Sequence, residues 1–254
     1  MTAIVQNYYL VNLVMQIQIN SLYKSFEKGK QTLKDINLSV EKGEVVSILG
    51  PSGCGKSTIL RILAKLETKD SGEIKLNSSM SFVFQQPLLL DWRTALENVL
   101  LPLELSKTPK SQALLKAQEC LEMVCLKDSM QQYPEQLSGG MKMRVSLARA
   151  LVSDPEILLL DEPFAALDEM TREKLNEELL ELNRTKQLTM LFVTHNIFEA
   201  VFISDRIIVL GEAPAEIIKE INVPLARPRK IEERGSPDFA KLVGEVQTAL
   251  RKEL

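Results

Sequence analysis

One octapeptide constrains this chain more than any other feature: residues 50–57 read GPSGCGKS. They match the pattern G-x-x-x-x-G-K-[ST]. They stand between a largely apolar run at 44–49, typical of a buried strand, and an apolar-periodic stretch at 58–66, typical of a helix. The glycines let backbone N–H groups turn inward around phosphate oxygens, and the N-terminus of the helix adds positive dipole character. The sequence therefore predicts a phosphate-binding loop, not a glycine-rich turn that happens to precede Lys56.

The residues of this loop form the largest group of candidate site residues. We expect the Lys56 ammonium to reach the β- and γ-phosphates of a nucleotide and the Ser57 hydroxyl to ligate Mg²⁺. Lys56 is therefore also a catalytic candidate, and Ser57 a metal-ligand candidate. The nucleotide-binding candidates of the loop are Gly50, Pro51, Ser52, Gly53, Cys54, Gly55, Lys56, Ser57 and Thr58.

Acidic residues and the only histidine of the chain follow two further strand-like runs. Residues 157–160 read ILLL, which suits a fully buried parallel strand, and Asp161 and Glu162 come directly after them. Ligands of α/β sheets bind at this carboxyl edge. We expect Asp161 to hold Mg²⁺ and Glu162 to orient and polarise the attacking water. His195 follows a strand-like run at 190–193 and is placed to donate to the γ-phosphate.

The order of strand-like and helical runs predicts an α/β fold. Strands that alternate with helices imply a parallel sheet with helices on both faces. The stretch at about 86–145 contains no strand-like run and predicts an inserted helical subdomain. We divide the chain into an N-terminal extension at 1–14, a main domain at 15–245 and a C-terminal tail at 246–254. The extension is either the product of an upstream start or a short tail that packs on a partner.

Composition excludes several classes of function. The 254 residues carry 31 Lys and Arg against 34 Asp and Glu, so no basic excess draws the chain to nucleic acid, and no nucleic-acid partner is expected. The 3 cysteines are too few for a disulfide scaffold. The first twenty or so residues are too polar for a membrane span and lack the basic start of a signal peptide. We therefore predict a cytoplasmic chain.

Residues 137–141, which read LSGGM, resemble the signature of ATP-binding cassette (ABC) transporter ATPases. The resemblance extends over residues 16–245. It implies the P-loop NTPase fold of ABC ATPases, with a mostly parallel sheet core, an antiparallel β subdomain and the inserted helical subdomain. It also implies an enzyme that hydrolyses ATP with Mg²⁺ and acts as a homodimer. Two copies sandwich two ATP molecules, and each site joins the phosphate loop of one copy to Ser138, Gly139 and Gly140 of the other.

Four further positions match motifs of the same family. Phe26 resembles the aromatic residue that stacks on adenine, with Tyr23 as the alternative. Gln85 resembles the Q-loop glutamine, which implies contacts to nucleotide and metal and coupling to the helical segment. Asp168, in the run ALD, resembles the D-loop residue at the nucleotide site. His195, after Thr194, resembles the switch histidine and is with Glu162 and Lys56 a catalytic candidate.

A finer resemblance points to one branch of the family. Residues 88–94 read LLLDWRT and residues 97–99 read ENV, which is similar to nitrate, sulfonate and taurine importer ATPases. This implies an energy-coupling subunit, peripheral on the cytoplasmic face of the inner membrane, that drives integral permease subunits and acts indirectly with a solute-binding protein. Trp92 is then expected near the docking groove for the permease. An ATPase of lipid trafficking or export, or a soluble ABC ATPase without a transporter, remains the alternative.

Two positions depart from the pattern of this branch. Asp91 stands where proline is usual, which alters the stiffness of the loop because proline presets φ. Asn196 stands where aspartate is frequent after the switch histidine, and it removes one negative charge near the site. Neither change removes a catalytic group, so the sequence predicts an active ATPase.

Overall fold

The computed structural model describes residues 15–26 and 29–251. The predicted extension at 1–14 lies outside the described residues, as do the last three residues of the predicted tail. Within the described ranges, no helix is long and apolar enough to cross a membrane.

Strands and helices alternate along the chain in the manner that the sequence predicts. The elements in chain order are β1 (Met15–Phe26), β2 (Lys30–Glu41), β3 (Val45–Leu49), α1 (Lys56–Leu63), β4 (Ser71–Leu76), β5 (Met80–Val83), α2 (Ala95–Leu105), α3 (Lys110–Met123), α4 (Gly139–Leu151), β6 (Ile157–Asp161), α5 (Glu169–Lys186), β7 (Thr189–Val193), α6 (Ile197–Ile203), β8 (Arg206–Leu210), β9 (Ile217–Asn222) and α7 (Pro237–Arg251).

The main sheet has six strands in the order β5-β6-β7-β3-β8-β9, and every pairing is parallel except that of β8 with β9. A second sheet has three antiparallel strands in the order β2-β1-β4. The predicted mostly parallel core and antiparallel β subdomain are both confirmed. Strands β4 and β9 were not predicted from the sequence.

Two hydrophobic clusters explain why the central strands are largely apolar. In β6, Leu158 and Leu160 face the cluster formed with helices α2 to α7, whereas Ile157 and Leu159 face the cluster formed with α1 and the second sheet. Strands of a parallel sheet that is covered on both faces carry apolar side chains at successive positions. Burial of each such side chain contributes about 1.5–3 kcal/mol. The carboxyl ends of β3, β6 and β7 are thereby fixed side by side.

Helices account for most of the stretch predicted as a helical subdomain. Helices α2 and α3 pack against each other and against α4, which begins at Gly139 and continues past the predicted boundary to Leu151. At the other end of the chain, α7 is a single helix from Pro237 to Arg251. The boundary drawn between residues 245 and 246 lies inside this helix, whose buried face includes Phe239 and Val246.

Candidate nucleotide site

The predicted phosphate loop connects β3 to α1 at the carboxyl edge of the main sheet. Gly53 and Gly55 both have positive φ values, +76° and +115°. A Cβ atom on Gly55 would lie 2.6 Å from Leu33 Cδ2, so both the backbone conformation and the space exclude a larger residue here. The conformation of the loop therefore requires glycine at these two positions of the motif.

Lys56, the first residue of α1, folds back over the loop. Its side chain is only 6% exposed, and Nζ donates hydrogen bonds to the carbonyl oxygens of Gly50 (2.9 Å) and Pro51 (2.8 Å). An ammonium group has three N–H donors, so one more is available to an oxygen inside the loop. This positive charge lies at the N-terminus of a helix, where backbone N–H groups also favour anions.

The two predicted metal-ligand candidates Ser57 and Asp161 are in direct contact. The Ser57 hydroxyl donates a 2.6 Å hydrogen bond to Asp161 Oδ1 at the end of β6. Burial raises the pKa of Asp161, although the bond from Ser57 opposes this effect. No group of three or more His, Cys, Asp or Glu side chains suited to a metal occurs among the described residues. A hydroxyl and one carboxylate fit Mg²⁺, which usually takes one or two carboxylates together with substrate phosphates and water.

The side chains of Glu162 and His195 contact each other just beyond the ends of the neighbouring strands β6 and β7. His195 Nδ1 lies 3.0 Å from Glu162 Oε2, and the Glu162 backbone N–H donates a 2.9 Å bond to the Val193 carbonyl at the end of β7. Glu162 has φ +46°, in the left-handed region that non-glycine residues rarely adopt. A carboxylate held against an imidazole at the rim of a phosphate loop can accept a proton from water or orient it.

A cleft of about 420 Å³ contains most of these groups. The lining residues are Phe26, Thr32, Ser52, Gly53, Gly55, Lys56, Ser57, Thr58, Gln85 and Glu162. Three loop candidates lie outside this lining: Gly50, Pro51 and Cys54. Cys54 is buried, and the pKa of its thiol is raised because burial disfavours the thiolate. Thr32 was missed because its position on β2 beside the loop depends on long-range strand pairing, for which the local sequence gives no signal.

Of the two aromatic candidates, Phe26 lines the cleft and Tyr23 does not. Phe26 ends β1, and its ring is substantially exposed. The ammonium of Lys24 lies 4.9 Å from the ring centroid, within the range of a cation–π interaction. The ring is therefore held at the edge of the cleft, where it can stack on a flat ligand.

The signature residues lie outside the cleft of their own chain. The Ser138 side chain caps α4 by accepting a bond from the Met141 backbone N–H, and Gly139 and Gly140 form the first turn. The Asp168 side chain caps α5 in the same way by accepting from the Thr171 backbone N–H at 3.0 Å, and these contacts lower the pKa of Asp168. None of these candidate residues lines the cleft described above. The structure thus places the predicted residues in two separate groups.

With this geometry established, a family model described as "ABC transporter" matches residues 33–165. The chain belongs to the ABC transporter family. The family confirms the resemblance based on the signature, and with it ATP binding and ATP hydrolysis. This cassette is 44% identical to the "aliphatic sulfonates import ATP-binding protein SsuB" of Bacillus licheniformis, across 89% of this chain and 90% of the relative. It is 40% identical to an uncharacterized ABC transporter ATP-binding protein, MJ0412, of Methanocaldococcus jannaschii, across 94% and 93%.

Solved structures of related cassettes have the same fold. The dimeric structure of a post-hydrolysis state of the ATP-binding cassette MJ0796, bound to ADP and Pi, is 35% identical in sequence with a TM-score of 0.73. The match covers 83% of this chain and all of that one. A dimeric structure of the same cassette gives 36% identity and a TM-score of 0.74.

The cassette also contains a rigid loop between Gln85 and α2 whose supports were not predicted from the sequence. Asn98 is fully buried and donates from Nδ2 to the carbonyl oxygens of three loop residues, while its Oδ1 accepts from the Leu90 backbone N–H. Arg149 of α4 donates to the carbonyl oxygens at positions 87 and 88. The loop leaves Leu88 54% exposed and Trp92 74% exposed. Two large apolar side chains are thus presented on a fixed backbone.

Proposed function

We propose that this cassette is the energy-coupling subunit of an ABC importer, in which two copies hydrolyse ATP to drive a membrane permease. The observation that carries the proposal is the cleft at the carboxyl edge of the sheet, which is lined by Lys56, Ser57 and Glu162. Asp161 is joined to it by its hydrogen bond with Ser57. Identity of 44% to a protein named for import of aliphatic sulfonates supports the direction of transport. We infer a small anion or organic solute of the nitrate, sulfonate or taurine type as cargo.

The site residues divide the work of hydrolysis. Lys56 and the N-terminus of α1 hold the β- and γ-phosphates and stabilise the charge that spreads over them during transfer. Ser57, Asp161 and Gln85 hold Mg²⁺, which neutralises phosphate charge when bound. Glu162 accepts or polarises the proton of the attacking water, and His195 contacts the γ-phosphate. Phe26 stacks on the adenine ring.

The second group of residues acts on ATP that is bound to the partner copy. Ser138, Gly139 and Gly140 begin a long helix at the surface, where free backbone N–H groups and the helix dipole favour a phosphate. Their own cleft lies elsewhere, so a second copy must supply the nucleotide. The related cassettes solved as dimers support this arrangement. Asp168, which caps the neighbouring helix α5, completes the contact across the dimer.

The loop around Trp92 is the proposed docking surface for the permease, on the cytoplasmic face of the inner membrane. Exposed apolar side chains on a rigid backbone are typical of an interface. The loop begins next to Gln85, which lines the cleft, and Arg149 ties it to the signature helix α4. A permease that binds here is therefore linked through this loop to both groups of site residues. A solute-binding protein would act on the permease from the other side.

Purification of the tagged chain from gently solubilised membranes tests the proposal. We expect a multi-span permease and a periplasmic or lipid-anchored binding protein to copurify with the wild type. Leu88→Ala/Trp92→Ala should lose the permease, while the control Leu115→Ala, at an exposed leucine of α3, should retain it. Recovery of an exporter, of a lipid-transport complex or of soluble partners alone would refute the importer.

A further inference from the structure

A buried carboxyl group lies behind the switch histidine and has no role in the site described above. Glu199 of α6 is only 4% exposed. Its Oε2 accepts a short hydrogen bond from the Thr194 hydroxyl, and its Oε1 accepts from Asn176 Nδ2 at 3.3 Å. Among the described residues, no Lys or Arg nitrogen forms an ion pair with it. A buried charge without an ionic partner is costly, so burial favours the protonated form, whereas the two hydrogen bonds favour the ionised form.

Glu199 closes a ring of hydrogen bonds that brackets His195. The Asn196 backbone N–H donates to Thr194 Oγ1 at 3.0 Å, and the Glu199 backbone N–H donates to Asn196 Oδ1 at 3.1 Å. The Thr194 hydroxyl then donates to the Glu199 carboxyl and completes the ring. His195 lies between Thr194 and Asn196, which this ring of hydrogen bonds holds in place. Its backbone direction, and with it the approach of the imidazole to Glu162, depends on this ring.

We propose that Glu199 is the positioning residue of His195, through the hydrogen bond that its carboxyl group accepts from Thr194. The inference rests on the role of His195 in the proposed function. Two charged or titratable groups act on the carboxyl: Arg172 of α5 and His195 itself both favour its ionised form. Burial outweighs them and raises the pKa of Glu199. A positioning role through Thr194 needs only an acceptor oxygen at this place, not a negative charge.

A role that needs only an acceptor oxygen distinguishes sharply between two substitutions of Glu199. Glutamine retains an oxygen for the Thr194 hydroxyl, and its NH₂ can donate to the oxygen of Asn176, which is buried without a hydrogen-bond partner. Glu199→Gln should therefore keep kcat within about 2-fold of the wild type. Glu199→Ala opens the ring, and we expect kcat to fall about 10-fold or more while the Kd for ATP changes less than about 2-fold.

The single histidine of the chain allows a test that does not depend on ATP hydrolysis. With ¹³C-labelled histidine and no affinity tag, one imidazole signal pair reports on His195. We expect the signals of Glu199→Gln to overlay those of the wild type, and those of Glu199→Ala and Thr194→Val to shift and broaden. Thr194→Val keeps the shape of the side chain and serves if Glu199→Ala does not fold. The control Glu245→Ala changes an exposed residue of α7 and should leave the signals in place.

Two results would overturn the positioning role: wild-type imidazole signals when the ring is opened by Thr194→Val, or loss of activity and altered signals in Glu199→Gln. The second result would show that the negative charge is needed. Failure of the proposed function is distinguished by a separate variant. If His195 has no role in hydrolysis, His195→Ala hydrolyses ATP at the wild-type rate, whatever the imidazole signals of the other variants.

Discussion

At the scale of single residues, Glu162 combines a strained backbone with a directed side chain. Its positive φ costs on the order of 1–3 kcal/mol, and the bond from its N–H to Val193 holds the conformation. The turn brings the carboxylate from the end of β6 to His195, which follows the neighbouring strand. The sequence predicts both residues at the same sheet edge, but only the backbone turn explains why they touch.

Glu162→Gln tests the proposed role of this carboxylate. The amide keeps the size of the side chain but cannot accept a proton, so we expect kcat to fall by about 10²-fold or more with the Kd for ATP unchanged within about 3-fold. Glu169→Gln, at an exposed position in the first turn of α5, is the matched control and should hydrolyse ATP normally. Steady-state ATPase rates and equilibrium binding measure the two quantities. Turnover of Glu162→Gln near the wild-type rate would refute the assignment.

Glu199 makes a second residue-scale prediction, which concerns pH and stability. The pKa of Glu199 is raised in the folded state. At a pH above the ordinary pKa of glutamate, the unfolded chain therefore releases a proton that the folded chain retains. The stability contributed by this group is therefore present at low pH and is lost as pH rises. Glutamine does not titrate, so the Tm of Glu199→Gln relative to the wild type should increase between about pH 5 and about pH 8. A difference in Tm that is constant with pH would contradict a raised pKa.

At the scale of elements, α4 connects the two groups of site residues. Its N-terminus carries the signature, and its last turn carries Arg149, which holds the loop after Gln85. The same N-terminus packs tightly on α5: a Cβ atom on Gly140 would lie 2.8 Å from Thr171 Cγ2. Because Thr171 is β-branched, its χ1 angle adjusts poorly to such an atom. The N-termini of the two helices that begin with signature and D-loop residues are therefore in close contact.

Gly140→Ala tests this contact through stability, without nucleotide. Alanine favours a helix by about 1 kcal/mol over glycine, but overpacking costs about 1–3 kcal/mol, so we expect Tm to fall by about 2–4 °C. Thr171→Ser removes the methyl group and should restore Tm in the double variant. Gly139→Ala is the control, because its Cβ would make an ordinary 3.7 Å contact with Leu167. Equal Tm values for the two alanine variants would contradict the tight contact.

Strands with both faces buried, such as β3 and β6, are predicted directly by their apolar runs. Strand β4 reads SGEIKL with alternate residues exposed, and β9 leaves four of its six residues exposed. Such short, charged strands lie at sheet edges and are fixed by pairing with β1 and β8, which local sequence does not encode. For the same reason the motif residues of the site could be predicted, whereas supports such as Arg149 could not.

At the scale of the whole molecule, the two groups of site residues belong to different layers of the cassette. The cleft lies at the edge of the main sheet, and the signature begins α4, beside the helical subdomain. A single copy thus has a loop that binds phosphate and, elsewhere, a helix N-terminus suited to the same phosphate. Each requirement is met when two copies are related by a two-fold axis, since an isologous interface pairs different parts of the same surface.

ATP should therefore act as the link between copies when hydrolysis is blocked. We expect Glu162→Gln with ATP to form a dimer of twice 28.6 kDa in light scattering, and to remain a monomer with ADP. Adding Ser138→Glu places a negative charge against the γ-phosphate of the partner's ATP, and like charges in contact cost several kcal/mol in an interface. The double variant should bind ATP with unchanged affinity, because Ser138 does not line its own cleft, yet remain monomeric. The matched control Thr248→Glu on α7 should still dimerise, and an equally strong ATP-dependent dimer in the Ser138→Glu variant would refute the shared site.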